Sequence, residues 1–217
     1  MFDNVTKSVR VLSAAAVEKA NSGHPGMPLG MADVGVAIYK NALKVSNKNP
    51  DWINRDRFVL SAGHGSMLLY SLQHFNGFDI SVDDIKNFRQ LGSVTAGHPE
   101  KDFQLGIDTT TGPLGQGFAN GVGLAVAERY LSSVLGEDII DHYIYGIISD
   151  GDLMEGISTE AAELAGLWKL GKIIYFFDDN NISIDGNVTK VSITNQKNKF
   201  LSMGWDVLEI DGHQESE

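Results

Sequence analysis

The sequence contains no cysteine, few basic residues and no long hydrophobic run, and each absence excludes a class of protein. Without cysteine there is no disulfide, no thiolate metal site and no thiol nucleophile. The 17 Lys and Arg residues are outnumbered by 28 Asp and Glu, and the net charge of −11 argues against a nucleic-acid-binding platform. No apolar run approaches the roughly 20 residues of a membrane span, and the N-terminus lacks a signal-peptide layout. We therefore expect a soluble, cytoplasmic protein without nucleic-acid or membrane partners.

The composition is that of an ordinary globular domain. Of the 217 residues, 42% are hydrophobic and 21% are charged, which is close to the globular average. This length suits one well-packed α/β domain, and no linker, internal repeat or low-complexity tract divides it. We expect residues 1–217 to form a single domain.

A strand–helix–strand pattern lies in the second half of the chain. Residues 143–149 and 173–177 are short, nearly unbroken apolar runs, and segment 157–171 between them has apolar residues at helical spacing. This pattern is typical of a βαβ unit whose parallel strands are covered on both faces. The predicted fold class is therefore α/β, with a mostly parallel sheet sandwiched between helices.

The rest of the chain is predicted to be largely helical. Hydrophobic periodicity and the positions of glycine and proline give the element boundaries. The predicted helices cover residues 5–21, 31–43, 66–75, 82–91, 115–135 and 195–203, and further strands cover 58–60 and 205–210. Small residues recur along 115–135, where they allow another backbone to approach closely.

Polar loops follow both strands of the central unit. Asp150 supplies a carboxylate, Asn180 a side-chain carbonyl and Ile182 a backbone carbonyl, while Gly151 permits a sharp turn. The carboxyl ends of parallel strands share an edge where α/β sheets bind ligands. Hard oxygen ligands favour Mg²⁺, Ca²⁺ or another such divalent ion over zinc. In the alternative interpretation, Asp150 only caps a helix and residues 178–181 form an ordinary turn.

Two further groups of loop residues are candidates for a polar site. His24, His64 and His98 each follow a glycine; each alone is compatible with a turn, but three such loops favour a shared site. The turn at 112–115 precedes the long helix, so its backbone N–H groups either bind an anion or simply begin that helix.

Other known site patterns fit poorly. The sequence has no HExxH zinc helix and no GxSxG nucleophile elbow. Neither loop after the central strands has the glycine and glutamate positions of an EF-hand. Residues 115–121 approach the dinucleotide-binding fingerprint, but the third glycine is one position late and no convincing strand precedes it. A Rossmann NAD site is therefore a weak rival.

Several motifs occur in a recognisable order along the chain. Asp150-Gly151 is followed by Asn180-Asn181, with Ser149 before the first pair. The other segments are SGHPG at 22–26, DRFVLS at 56–61, GHGS at 63–66, GHPE at 97–100, TTTGPLGQG at 109–117, DGDLMEGI at 150–157 and DDNNISIDG at 178–186. The first pattern resembles the metal-binding signature of thiamine diphosphate-dependent enzymes, with Ser149 in place of its first glycine. Together the segments resemble the transketolase family of that superfamily, and the resemblance covers the whole chain.

The resemblance implies a role for each motif in a site for thiamine diphosphate and a divalent metal. The implied cofactor-binding residues are His64, Gly112, Pro113, Leu114, Gly151 and Asn180, and the implied metal ligands are Asp150, Asn180 and the carbonyl of Ile182. His24 and His98 are implied to bind the sugar substrate and to take part in catalysis. Glu155 and Glu160, otherwise solvated first-turn helix residues, match family residues at the dimer interface.

The resemblance also implies an activity. Transketolases are homodimers of the pentose phosphate pathway that transfer a two-carbon ketol unit from a ketose phosphate, such as xylulose 5-phosphate, to an aldose phosphate, such as ribose 5-phosphate. Residues 1–217 would be the N-terminal, diphosphate-binding domain, truncated at its C-terminal end. No residue here matches the family's cofactor-activating glutamate or phosphate-binding arginines.

We therefore expect the chain alone to be inactive and to need the remaining domains, either in the same chain or as a second subunit. The alternatives are a non-catalytic or split-enzyme subunit, or a related thiamine diphosphate enzyme such as dihydroxyacetone synthase.

Overall fold

Three parallel strands form the central sheet of the protein. The computed structural model describes residues 2–214 of the chain. Within them, β1 (Arg57–Leu60) pairs with β2 (Ile144–Ser149), and β2 pairs with β3 (Ile173–Asp178). Both connections pass through helices, so all three strands end at the same edge of the sheet.

Helices cover both faces of this sheet. In chain order they are α1 (Phe2–Ala20), α2 (Gly26–Gly30), α3 (Ala32–Asn41), α4 (Ser66–Phe75), α5 (Val82–Lys86), α6 (Gln116–Leu135), α7 (Asp150–Met154), α8 (Gly156–Leu167) and α9 (Gln196–Ser202). A small antiparallel hairpin, β4 (Ile182–Ser183) with β5 (Gly186–Asn187), follows β3. Of the helices in the described part of the chain, none is long and apolar enough to cross a membrane.

The strand side chains alternate between two hydrophobic cores. Phe58, Leu60 and Ile147 pack into the core formed with α1, α3 and α4, whereas Val59 and Ile148 pack into the core formed with α6 and α8. This alternation is the period-two geometry of a strand, and both sets are buried because the sheet has helices on each side. The predicted fold class is confirmed.

A glycine in the middle of β2 leaves room for the ring of Tyr175, which extends from β3 over the neighbouring strand. Gly146 is aligned with Val59 on one side and with Tyr175 on the other. A Cβ atom on Gly146 would lie 2.6 Å from Cε1 of Tyr175, so a larger residue would displace that ring. The Tyr175 hydroxyl donates to the carbonyl of Phe118 at 2.6 Å, which ties β3 to α6.

Most predicted helices and strands are present with small shifts at their ends, but the predicted helix 82–91 is too long. The structure ends α5 at Lys86. Arg89 has a φ of 60° and Gly92 a φ of 79°, and these left-handed conformations cannot continue a right-handed helix.

The predicted strand at 205–210 is wrong. This segment forms no backbone ladder with β3 or with any other described strand. Trp205 instead packs against the rings of Phe118 and Tyr175, and its Nε1–H donates to the carbonyl of Ala162 at 3.0 Å. The side chain therefore fixes the start of the segment, while Leu208 remains 88% exposed. An apolar alternation becomes a strand only where a partner strand satisfies its backbone groups.

The small residues of α6 serve the protein's own packing. A Cβ atom on Gly117 would lie 2.5 Å from the Cα atom of Ser61, and one on Gly121 would lie 2.0 Å from the Tyr175 hydroxyl oxygen. By contrast, a Cβ atom on Gly123 would meet nothing within 4 Å. The close approach that the sequence predicts is therefore made to β1 and β3 of the same chain.

This packing predicts opposite effects for two glycines on one helix. We expect Gly121→Ala to lower the free energy of unfolding by about 1–3 kcal/mol, because the Tyr175 ring must move. Gly123→Ala should raise it by about 0.5–1 kcal/mol, because alanine is the better helix former and has room. Urea unfolding followed by circular dichroism measures both values. Equal effects of the two substitutions would contradict this packing.

Candidate functional site

The candidate residues lie along the edge of the sheet where the three strands end. The turn that contains His64 follows β1, Asp150 follows β2 directly, and Asn180 lies two residues beyond β3. Because this is the carboxyl edge of a parallel sheet, the fold itself brings these three loops to one side of the molecule.

Three histidines gather beside this edge. The rings of His24 and His64 pack edge to face, with their centroids 5.2 Å apart. His98 lies against Gly112, where an added Cβ atom would come within 3.3 Å of the imidazole Cγ. A surface groove of about 480 Å³ runs between the His98 loop and the Gly112–Pro113 turn. The predicted convergence of the three histidine loops is thus present.

The surroundings of two of these imidazoles disfavour their charged forms. Burial lowers the pKa of His64 most, and positive charge on His24 lowers it further, while Asp152 opposes this shift and His98 adds a smaller lowering. The pKa of His98 is lowered by its partial burial and by the charges of Arg89 and His24. Since the ordinary histidine pKa is about 6.5, both rings are neutral near pH 7 and can accept a hydrogen bond at one nitrogen while donating at the other.

The turn at 112–115 contacts the loops on either side of it. A Cβ atom on Gly63 would lie 2.8 Å from the amide nitrogen of Gly112, and one on Gly151 would lie 2.8 Å from Cδ1 of Leu114. Glycine at 63 and 151 is therefore what permits the His64 turn, the 112–115 turn and the Asp150 turn to touch. Gly112 itself has a φ of 153°, which favours glycine.

Two acidic side chains, Asp178 and Asp179, lie near enough to the predicted metal ligand Asp150 to affect its charge. Asp150 is buried, and that burial together with the charges of Asp179 and Asp178 raises its pKa to about 6. Helix α7, which begins at Asp150, packs against β4, which begins at Ile182. A divalent cation would relieve the repulsion among these carboxylates, so the donor set fits such an ion. Within residues 2–214, no three acidic or histidine side chains form a metal cluster by themselves.

Asn180 is held within its own loop. Its side-chain nitrogen donates to Asp178 at 2.9 Å, and its side-chain oxygen accepts from the backbone N–H of Ile182 at 2.8 Å. An amide oxygen has a second lone pair, so this geometry leaves one position for a metal. The metal set of Asp150, Asn180 and the carbonyl of Ile182 stays a prediction.

Asp152 is a site residue for which the sequence predicted no role. Its side chain is fully buried and accepts hydrogen bonds from Ser61, Gly115 and Ser149, which follow β1, precede α6 and end β2. The contact with Ser149 could have been predicted from the sequence, because an acidic residue three positions after a serine at a helix start is typical of a capping box. The bonds to Ser61 and Gly115 join distant segments and had no local signal.

The predicted anion-binding turn is partly occupied by these contacts. The backbone N–H of Gly115 donates to Asp152, and that of Phe118 donates to the Ser61 hydroxyl at 2.8 Å. These two N–H groups are therefore already hydrogen-bonded within the chain and are not free to bind an anion. The cofactor-binding assignments of Gly112, Pro113 and Leu114 stay predictions.

Arg89 is a second residue that sequence reasoning missed. Its guanidinium donates to the hydroxyl of Ser22 at 2.8 Å, two residues before His24. The same group lies against Gly97, directly before His98. It thus bridges two of the histidine loops, which are far apart in the sequence.

Glu155 lies against the 112–115 turn, whereas Glu160 lies further along α8. Glu155 precedes α8 and its Cβ contacts Gly115, whereas Glu160 is exposed on α8. Their implied role at a dimer interface stays a prediction.

Comparison with known proteins assigns the chain to a family. A family model described as "Transketolase, thiamine diphosphate binding domain" matches residues 2–217. The chain belongs to the transketolase family. That domain is the part of a transketolase that binds thiamine diphosphate, which agrees with the motifs gathered at the sheet edge.

Individual transketolases resemble the chain along nearly its full length. The transketolase of Bacillus subtilis is 54% identical over 207 residues, which cover 94% of this chain and 31% of that protein. A crystal structure of Campylobacter jejuni transketolase superposes with a TM-score of 0.96 at 51% identity, covering 99% of this chain and 34% of that one. A Pichia stipitis transketolase solved with sedoheptulose 7-phosphate is 44% identical, with a TM-score of 0.95 over 99% of this chain and 32% of its own.

The chain spans about one third of the length of these relatives. The fold and the family are therefore established for this segment, whereas the activity of a whole transketolase concerns a longer protein.

The histidine cluster makes a direct prediction about protonation. His24→Gln should raise the pKa values of His64 and His98, because it removes a positive charge that opposes their protonation. Proton NMR of the imidazole C2–H signals, recorded from pH 4 to 8, measures both midpoints. His213→Gln, which replaces a histidine outside the cluster, should leave them unchanged. If neither substitution shifts the titration midpoints of His64 and His98, the three rings do not interact.

Proposed function

We propose that this chain is the diphosphate- and Mg²⁺-binding portion of a transketolase. The complete enzyme would move a two-carbon ketol unit from a ketose phosphate such as xylulose 5-phosphate to an aldose phosphate such as ribose 5-phosphate. The observation that carries the proposal is the convergence of the Asp150 turn, the 112–115 turn and the three histidine loops at one sheet edge, in a chain of this family.

Each side of the site would bind one part of the ligands. Asp150, Asn180 and the carbonyl of Ile182 would hold the divalent ion, with Mg²⁺ the first choice and Ca²⁺ the alternative, because all three are oxygen ligands. His64, Gly151 and the residues Gly112, Pro113 and Leu114 would line the diphosphate. The raised pKa of Asp150 supports a cation beside it. Burial and the neighbouring acids disfavour the charged carboxylate, and a bound cation would favour it again.

The histidines would orient the sugar. His24 and His98 are both exposed, and His98 lines the groove. Each imidazole can donate a hydrogen bond to a substrate oxygen and accept one from a hydroxyl. Bound thiamine diphosphate would supply a carbon nucleophile and an electron sink for the ketol unit. The chain's own residues would position the reacting carbonyl and move a proton at its oxygen, which are contributions of orientation and general acid–base catalysis.

The proposal assigns this chain only part of the machinery. Because it spans about a third of its relatives, we expect the remaining domains, in the same protein or as a second subunit, to complete the site. We also propose a cytoplasmic homodimer that acts in the pentose phosphate pathway. Exposed apolar residues on α6 and α8 support a partner surface, for example Tyr130 at 66% and Leu167 at 73% exposed.

Complementation tests the proposal. Residues 1–217 are assayed for ketol transfer between xylulose 5-phosphate and ribose 5-phosphate, alone and mixed with the separately expressed remaining domains of B. subtilis transketolase. We expect activity only in the mixture, and its loss in Asp150→Ala with at least a tenfold weaker Mg²⁺ affinity. Asp51→Ala removes an exposed carboxylate from the loop before β1 and should behave as wild type.

Three results would contradict the proposal. Full turnover by residues 1–217 alone would mean that the catalytic residues lie within this chain. A folded mixture that binds neither Mg²⁺ nor thiamine diphosphate would favour the alternative of a non-catalytic subunit. Transfer to or from formaldehyde in preference to aldose phosphates would favour a dihydroxyacetone synthase.

A further inference from the structure

We propose that Asp152 is a positioning residue that fixes the 112–115 turn against the Asp150 turn, so that the diphosphate and metal sides of the site keep one geometry. This inference rests on the proposed function, because it assigns Asp152 a role in shaping that same site. Asp152 would touch neither the cofactor nor the metal. It would act through Gly115, Ser61 and Ser149.

The carboxylate of Asp152 joins three strand and helix ends. One oxygen, Oδ1, accepts from the Ser61 hydroxyl at 2.6 Å and from the backbone N–H of Gly115 at 2.8 Å. The other oxygen, Oδ2, accepts from both the backbone N–H and the hydroxyl of Ser149 at 3.0 Å. The two oxygens therefore connect the ends of β1 and β2 with the start of α6.

These hydrogen bonds replace a counter-ion. The side chain of Asp152 is 0% exposed, and no Lys, Arg or His among residues 2–214 forms an ion pair with it. A buried carboxylate is tolerated when several donors solvate it, and hydrogen bonds to a charged acceptor are stronger than those between neutral groups. All four donors must therefore stay in place, which restricts the segments that carry them.

The restriction reaches the predicted ligand residues directly. Gly115 has a φ of 77° and ends the turn that contains Gly112 and Leu114, while Leu114 rests on Gly151. Ser149 immediately precedes Asp150. The Asp152 carboxylate thus binds two residues at once. They are Gly115, the last residue of the 112–115 turn, and Ser149, the residue before the predicted metal ligand Asp150.

The same contacts direct where an anion can bind. Asp152 takes the N–H of Gly115, and Ser61 takes that of Phe118 in the first turn of α6. These two donors at the start of α6 are therefore already hydrogen-bonded to Asp152 and Ser61, and neither is free to bind an incoming diphosphate. The diphosphate is directed instead towards the backbone of Gly112 and Leu114 and towards the metal.

Two readouts on the intact chain test the role. The first is amide hydrogen exchange of the cofactor-free protein at Gly115 and Phe118, measured by NMR in the wild type, Asp152→Asn and Asp152→Ala. The second is the affinity for thiamine diphosphate with Mg²⁺, measured by calorimetry. Glu128→Gln is the control. Glu128 is also buried, but it pairs with Lys172, which precedes β3 and so lies at the edge of the sheet opposite the candidate site.

We expect Asp152→Ala to accelerate exchange at Gly115 and Phe118 at least tenfold while the amides of β2 and β3 keep their rates. Thiamine diphosphate affinity should fall at least tenfold. Asp152→Asn should be intermediate in both, since its amide oxygen can still accept from Gly115. Glu128→Gln should leave both readouts at these positions within twofold of the wild type.

The inference is overturned if exchange at Gly115 stays within twofold of the wild type in Asp152→Asn and Asp152→Ala. It is also overturned if exchange rises equally throughout the sheet, since that result means global destabilisation alone. Should Asp152→Ala fail to fold, Asp152→Asn and Ser149→Ala decide the question. A wild-type chain that binds no thiamine diphosphate would count against the proposed function, while the exchange data would still decide the role of Asp152.

Discussion

The buried carboxylate of Asp152 is the contact on which the geometry of the sheet edge depends. Parallel strands bring their carboxyl ends to one side, but they do not by themselves fix how the following loops touch. Here one charged side chain without solvent contact accepts hydrogen bonds from Ser61, Gly115 and Ser149. Because an unsatisfied buried carboxylate is costly, these hydrogen bonds hold together the segments that supply the donors.

Local patterns predicted the elements, and pairing between distant segments explains what they missed. The apolar runs around 143–149 and 173–177 predicted β2 and β3, and the small-residue segment 115–135 after a glycine-containing turn predicted α6. The segment 205–210 has a strand-like pattern but no partner in the described residues. Its first residue is fixed instead by the packing of Trp205, a tertiary contact that no local pattern reveals.

The candidate site shows the same division. Glycine-flanked histidines and polar strand ends were visible in the sequence, and the structure brings His24, His64 and His98 together beside the 112–115 turn. Asp152 and Arg89 were missed because their partners are far away in the chain. The two aspartates of one short helix consequently differ: Asp150 adjoins other acids that raise its pKa, whereas Asp152 is satisfied internally.

The most direct test of this account is a crystal structure of the chain with thiamine diphosphate and Mg²⁺. The account predicts a metal about 2.0–2.1 Å from oxygens of Asp150, Asn180 and Ile182, the usual Mg²⁺ distance. It also predicts a diphosphate against Gly112 and Leu114, with the Gly115 N–H still donating to Asp152. A structure in which Asp150 and Asn180 point apart, or in which the diphosphate displaces Asp152 from Gly115, would contradict it.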